Sequence, residues 1–228
     1  SPITNSEWHM ANAHIMGTRI TVELWHLNKT QAKQAMAAVM DEMRAIEQSM
    51  SPLITRSDLF KLNENAFNSA VIVSKPLLFL IDKALFYSKL SDGAFDISFA
   101  SVGRFYDYHK AISPNNQQLS ENLPAINYRL IELNHATNTI RFKHKNLKID
   151  LGGIAKGYAV DRSIELLKLR GISSAFVSAG GDSRILGDRH GDPWVVGIRH
   201  PRKEHPWLVG PADRCAGRND RQGAVLWL

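Results

Sequence analysis

Residues 150–161 read Asp-Leu-Gly-Gly-Ile-Ala-Lys-Gly-Tyr-Ala-Val-Asp, with three glycines inside six positions. Leu147–Asp150 reads as a strand before them, and a helical pattern runs after them to about Leu169. Glycine lets a backbone approach a ligand closely. The first N–H groups of a helix lack intrahelical acceptors and favour an anion. Lys156 adds a mobile positive charge. The segment therefore forms a sound cradle for a diphosphate, and reads equally as a tight strand-to-helix turn with an exposed lysine. It is neither a Walker A sequence nor the dinucleotide fingerprint, which space glycine and lysine differently.

Two further segments belong with it. Ser178-Ala-Gly-Gly-Asp182 follows the strand that begins at Phe176, so both glycine turns are expected at one edge of a sheet. Asp150 and Asp182 would bring carboxylates to the cradle, and such oxygens suit Mg²⁺. For Asp182 alone, a turn residue is the simpler reading. Asp92-Gly-Ala-Phe-Asp-Ile-Ser98 offers an aromatic face at Phe95 and an acceptor at Asp96. It gains meaning only beside the other two.

The remaining pattern predicts an α+β fold with mixed or antiparallel sheets and packed helices. Ile20, Val22 and Leu24 alternate with polar residues as a half-buried strand. Residues 30–50 repeat apolar side chains at three- and four-residue steps, with a methionine stripe that reads as core. Pro52 ends that helix. Ser57 caps a short helical turn to Asn63, and Ser74 with Pro76 starts a helix to about Leu90. Residues 112–125 read as a loop. Tyr128–Leu133 and Thr139–Phe142 form a hairpin, and Leu147–Asp150 a third strand. Gly171 is a C-terminal cap. Trp194, Val196 and Ile198 alternate in the last strand, and after Pro206 no period organises the chain.

Composition excludes other classes. The 228 residues are 44% hydrophobic and 22% charged, and no run of about 18 apolar residues offers a transmembrane helix. The single cysteine, Cys215, excludes an internal disulfide framework and a Cys-based zinc site. The nine histidines show no metal spacing. The net charge is +6, carried by residues 101–228, which have 19 Lys/Arg against 12 Asp/Glu. The basic clusters at 141–145 and 199–203 lack interleaved aromatics or a recognised motif, which argues against nucleic acid. A solvated basic face is the simpler reading of them, and attraction to a small phosphate-bearing ligand is the next.

In order, Met16-Gly17-Thr18, Met50-Ser51, Ser57-Asp58-Leu59, Leu62-Asn63, Asp92–Ile97, Asp150–Asp161 and Ser178–Asp182 resemble the ApbE family of FAD:protein FMN transferases. The likeness covers roughly residues 14–200 and is most specific at 150–161. It implies a Mg²⁺-dependent enzyme that splits FAD at its pyrophosphate. AMP is released, and FMN is attached to a threonine hydroxyl of a target flavoprotein. By position, the resemblance gives Met16, Ala94, Phe95 and Asp96 contacts to the flavin. It sets Asp150 and Lys156 near the ribose and phosphates, and gives the Gly153 carbonyl to Mg²⁺.

Leu53 stands where the family places an aromatic that stacks on the flavin. The family's later segment, which supplies the metal's side-chain ligands, is not found before residue 228. Residues 1–206 are thus expected as an incomplete domain of this kind, residues 207–228 as an atypical tail, and little FMN transfer from the chain as written. A non-catalytic FAD-binding module, an FAD pyrophosphatase and a basic structural domain stay open as alternatives. The resemblance further implies an acceptor in a membrane-bound redox complex and a bacterial periplasmic location, often through a lipoprotein anchor.

Overall fold

The computed structural model describes residues 7–199, 207–211 and 225–227. In chain order the elements are β1 (Trp8–Ile15), β2 (Thr18–Trp25), α1 (Lys29–Met50), α2 (Asp58–Asn65), β3 (Val71–Ile72), α3 (Lys75–Leu90), α4 (Ala100–Gly103) and α5 (Asn116–Asn122). They continue with β4 (Ile131–Asn134), β5 (Thr139–Phe142), α6 (Gly152–Leu169), β6 (Ala175–Ala179), β7 (Asp182–Leu186), β8 (Val195–Arg199), β9 (Trp207–Pro211) and β10 (Val225–Trp227). The chain divides into two compact units, residues 1–44 with 156–228, and residues 45–155.

The first unit is built on an antiparallel sheet in the order β1-β2-β6-β7-β10. Ile20, Val22 and Leu24 of β2 are fully buried, as their alternation requires. So are Ala175, Val177 and Ala179 of β6. In α1, Ala32, Ala35, Met36, Val39, Met40 and Met43 face the interior, and the methionine stripe is core. α6 adds Ala159, Val160, Ile164 and Leu167. The Ile172 amide bonds back to the Leu167 carbonyl beside Gly171 and closes that helix.

Residues 178–182 form a hairpin. Ala179 pairs with Asp182, so Gly180-Gly181 is a two-residue turn between β6 and β7. Within the atypical tail, residues 207–211 form β9 beside β8 and residues 225–227 form β10 beside β7. Trp194 lies just before β8 rather than within it, buried against Trp8 and Phe176.

In the second unit a small antiparallel sheet runs β3-β5-β4. Its core joins Leu59 and Leu62 of α2, Leu77, Leu80 and Ile81 of α3, and Ile140 and Phe142 of β5. Ser57 caps α2 by accepting from the Phe60 amide at 2.9 Å, and Ser74 caps α3.

Three expectations fail here. The segment 112–125 contains α5, closed by a capping box between Asn115 and Gln118. The first hairpin strand begins only at Ile131, because residues 128–130 wind into a 3₁₀ turn. Leu147–Asp150 is extended but joins no strand ladder, for a reason that bears on the site.

Candidate active site

The loop from Ser51 to Ser57 is pinned by its own hydroxyls. Ser51 Oγ accepts from the Leu53 and Ile54 amides at 3.2 and 3.3 Å, and Ser57 Oγ donates to the Ser51 carbonyl. This holds Leu53 outward, 85% exposed. After α3, Ser91 Oγ accepts from the Phe95 amide at 3.0 Å, and the Phe95 ring meets Tyr87 edge-on. Asp96 then ties two segments together. Its Oδ1 accepts from the Ser98 amide and hydroxyl at 2.8 and 2.6 Å, and its Oδ2 from the Tyr128 amide at 3.0 Å.

These residues border a cavity of about 620 Å³ in unit 45–155, a size suited to a small molecule. Phe60, Phe95 and Phe99 give it aromatic walls, and Asp150 and Gly153 bring the start of α6 to it. Of the residues singled out from sequence, Leu53, Phe95, Asp96, Asp150 and Gly153 line this one cavity. Ala94 is exposed in the preceding turn and is not on its wall. Met16 and Lys156 belong to the other unit.

The helix start differs from a vacant anion cradle. Asp150 Oδ1 accepts from the Gly152 amide at 2.7 Å, so a carboxylate already caps α6. Among the described residues, the Gly153 amide and Asp150 Oδ2 have no hydrogen-bond partner. A negative group at this point repels a phosphate and accepts from a hydroxyl. The wall thus favours a sugar-like donor at Asp150 and leaves one amide for an anion.

Cations balance it. Lys148 Nζ reaches the Asn63 carbonyl at 2.8 Å and Glu64 at 3.3 Å. Arg104 holds the Asn122 side-chain oxygen at 3.1 Å, and burial lowers its pKa against the opposing pull of Glu64. Hard oxygen donors on the α6 side are Asp150 Oδ2 and the Gly153 carbonyl. Among the described residues, no three His, Cys, Asp or Glu side chains converge into a metal site. Mg²⁺ keeps several waters and takes few protein ligands, so this donor set fits a cation shared with a bound phosphate.

In the other unit, Met16 and Gly17 form the two-residue turn between β1 and β2, with φ of 55° and 68°. Both positive values mark a turn that prefers Asn-Gly. A methionine there is strained, which points to a use for its side chain. Met16→Asn is expected to raise stability by about 1 kcal/mol in urea denaturation.

Within the first unit, the second glycine turn lies beside Thr18 and Lys156. A Cβ on Gly180 would stand 3.0 Å from Thr18 Oγ1 and 3.7 Å from Lys156 Cδ. Near it, burial raises the Asp182 pKa, opposed by Lys156 and reinforced by Asp161. Arg184 bonds Asp161 at 3.2 Å.

Sequence reasoning missed Asn63, which lines the cavity, as a shaping group. Asn63 had a signal, as a polar residue directly after the buried Leu59 and Leu62 of α2.

The cavity thus combines aromatic walls, a capped glycine-rich helix start and groups of both charges. The chain belongs to the ApbE family, whose model matches residues 16–217. It is 29% identical over 223 residues to the FAD:protein FMN transferase of Treponema pallidum, and 24% identical over 201 residues to that of Klebsiella pneumoniae. These matches cover 89% and 87% of this chain, and the chain spans 61% of each relative.

The solved ApbE protein of Thermotoga maritima superposes with a TM-score of 0.78 at 28% identity, over 88% of this chain and 67% of that one. The flavin transferase ApbE of Vibrio cholerae shares the fold, with a TM-score of 0.79 at 21% identity, over 90% and 67%. Among the described residues no helix is long and apolar enough to cross a membrane.

Proposed function

We propose that this chain carries the FAD-binding part of a FAD:protein FMN transferase. The observation that supports it most is the convergence of Leu53, Phe95, Asp96, Asp150 and Gly153 on one cavity in a member of that family. The apolar aromatic walls suit the isoalloxazine, and Asp150 Oδ2 accepts from a hydroxyl of the ligand. Asp96 spends both oxygens on backbone and hydroxyl donors, so its part is to hold the wall beside Phe95.

In the proposed reaction the bond between the FMN phosphorus and the bridging oxygen breaks, and AMP leaves with that oxygen. A threonine oxygen of the acceptor bonds to phosphorus and gives up its proton. Such transfer depends on positioning and charge neutralisation. A bound Mg²⁺, taking the Gly153 carbonyl as a ligand, would supply that neutralisation.

Gly153 provides a structural check on the fit. It sits in the first turn of α6, and a Cβ added to it would meet nothing within 4 Å. Packing within the protein therefore does not require glycine. Gly153→Ala is expected to gain up to about 1 kcal/mol of stability from helix propensity. The same methyl would intrude on the cavity and weaken FAD binding about fivefold or more.

The function is tested by incubating the chain with FAD, Mg²⁺ and a threonine-bearing acceptor flavoprotein. Retained flavin after gel filtration with little FMN-linked acceptor in the mass spectrum is the expected result, and abundant linkage would show that the chain transfers FMN as it stands. Free FMN and AMP without linkage would make it an FAD pyrophosphatase, and failure to retain FAD would reject the reading.

A further inference from the structure

The extended segment 147–150 joins no sheet, yet its backbone is held, and the holding groups are side chains. Asn63, on α2, donates from Nδ2 to the Ile149 carbonyl at 3.0 Å and accepts from the Ile149 amide at Oδ1 at 2.9 Å. One carboxamide thus does for Ile149 what a neighbouring strand would do. Ser101, on α4, treats Lys148 in the same way. Its Oγ accepts from the Lys148 amide at 3.0 Å and donates to the Lys148 carbonyl at 3.3 Å.

Ile149 is fully buried, so its polar backbone groups need these partners. The next residue is Asp150, whose amide donates to the Ile97 carbonyl at 3.2 Å and whose carboxylate borders the cavity. We propose that Asn63 is a positioning residue for ligand binding, because its clamp on Ile149 fixes where Asp150 presents its carboxylate. The inference rests on the reading that this cavity takes FAD.

Residue chemistry makes the position demanding. Aspartate keeps an acceptor for the Ile149 amide but has no donor for the carbonyl when ionised. Alanine leaves both groups unsatisfied. Ser101 sits one residue further from Asp150 and holds only Lys148.

The test is FAD affinity by flavin-fluorescence titration, with thermal unfolding in parallel, for the wild type, Asn63→Ala, Asn63→Asp, Ser101→Ala, Asp150→Ala and the Asn63→Ala/Asp150→Ala double variant. Asn63→Ala and Asn63→Asp are expected to bind FAD about tenfold more weakly while still folded at the assay temperature. Ser101→Ala is expected to lower the melting temperature and keep affinity within about twofold. In the Asp150→Ala background, adding Asn63→Ala is expected to cost less than about twofold more, the coupling that a shared effect requires.

Unchanged affinity in folded Asn63 variants, or full additivity in the double variant, would overturn the inference. Should Asn63→Ala fail to fold, Asn63→Asp carries the test, since it retains one of the two bonds. Absence of FAD binding by the wild type would instead overturn the reading of the cavity itself.

Discussion

Asp150→Ala is expected to raise the Kd for FAD by about 10- to 100-fold, the range of losing a hydrogen bond to a charged acceptor. The same change removes the cap of α6. Gly152 and Gly153 open that helix and are weak helix formers, so its first turn depends on the bond from the Gly152 amide to Asp150 Oδ1. Stability is expected to fall by about 1 kcal/mol as well. Asp150→Asn separates the two roles. An asparagine oxygen still accepts from the Gly152 amide, so stability should stay near wild type, whereas the atom facing the cavity becomes an NH2 donor in place of a charged acceptor. Flavin-fluorescence titration and urea denaturation of both variants read the two effects independently. Equal affinity in all three proteins would remove Asp150 from the site.

Gly187→Ala is expected to be among the most damaging single-methyl changes in the first unit. Gly187 follows β7 with φ at 64°, a left-handed conformation that costs alanine about 1–2 kcal/mol. A Cβ there would also lie 2.2 Å from the Ser173 carbonyl oxygen and 3.3 Å from its carbon. Both atoms are backbone just before β6, and β6 is locked to β7 from Ala175–Leu186 to Ala179–Asp182. No flexible side chain can yield. The total loss is expected at roughly 3 kcal/mol or more in chemical denaturation. A loss below 1 kcal/mol would mean that the turn after β7 relaxes in a way this packing forbids. The contrast with Gly153, where a methyl meets open space, separates a glycine kept for packing from one that faces a ligand cavity.

What could be read from sequence follows the strength of local periodicity. α1 and β2 have one clean apolar face each, and both were legible. β1 is not legible because its inward positions include the small Ala11 and Ala13 while Met10 faces outward, so the alternating burial along Trp8–Ile15 has no matching alternation of hydrophobicity. α5 is polar but for Leu119 and buries only Asn122, yet its start carries an Asn-x-x-Gln capping pattern that is legible in the sequence.

Leu147 and Ile149 alternate with polar residues, which predicts a strand over 147–150. Its backbone is extended and Leu147 and Ile149 are buried. What no period reveals is that a carboxamide and a hydroxyl stand in for the neighbouring strands. The same limit applies to the site. The chemistry of Asp150 and Gly153 was legible, but the capping bond that occupies the Gly152 amide is a geometric fact. It leaves the Gly153 amide, and not that of Gly152, for an anion at this helix start.

In the proposed function the cavity in residues 45–155 takes FAD beside Asp150. A crystal structure of the chain with FAD tests it most directly. The account predicts the isoalloxazine or its ribityl chain against Phe95, with a ligand hydroxyl within hydrogen-bond distance of Asp150 Oδ2. FAD bound away from both residues, with that cavity empty, would contradict it.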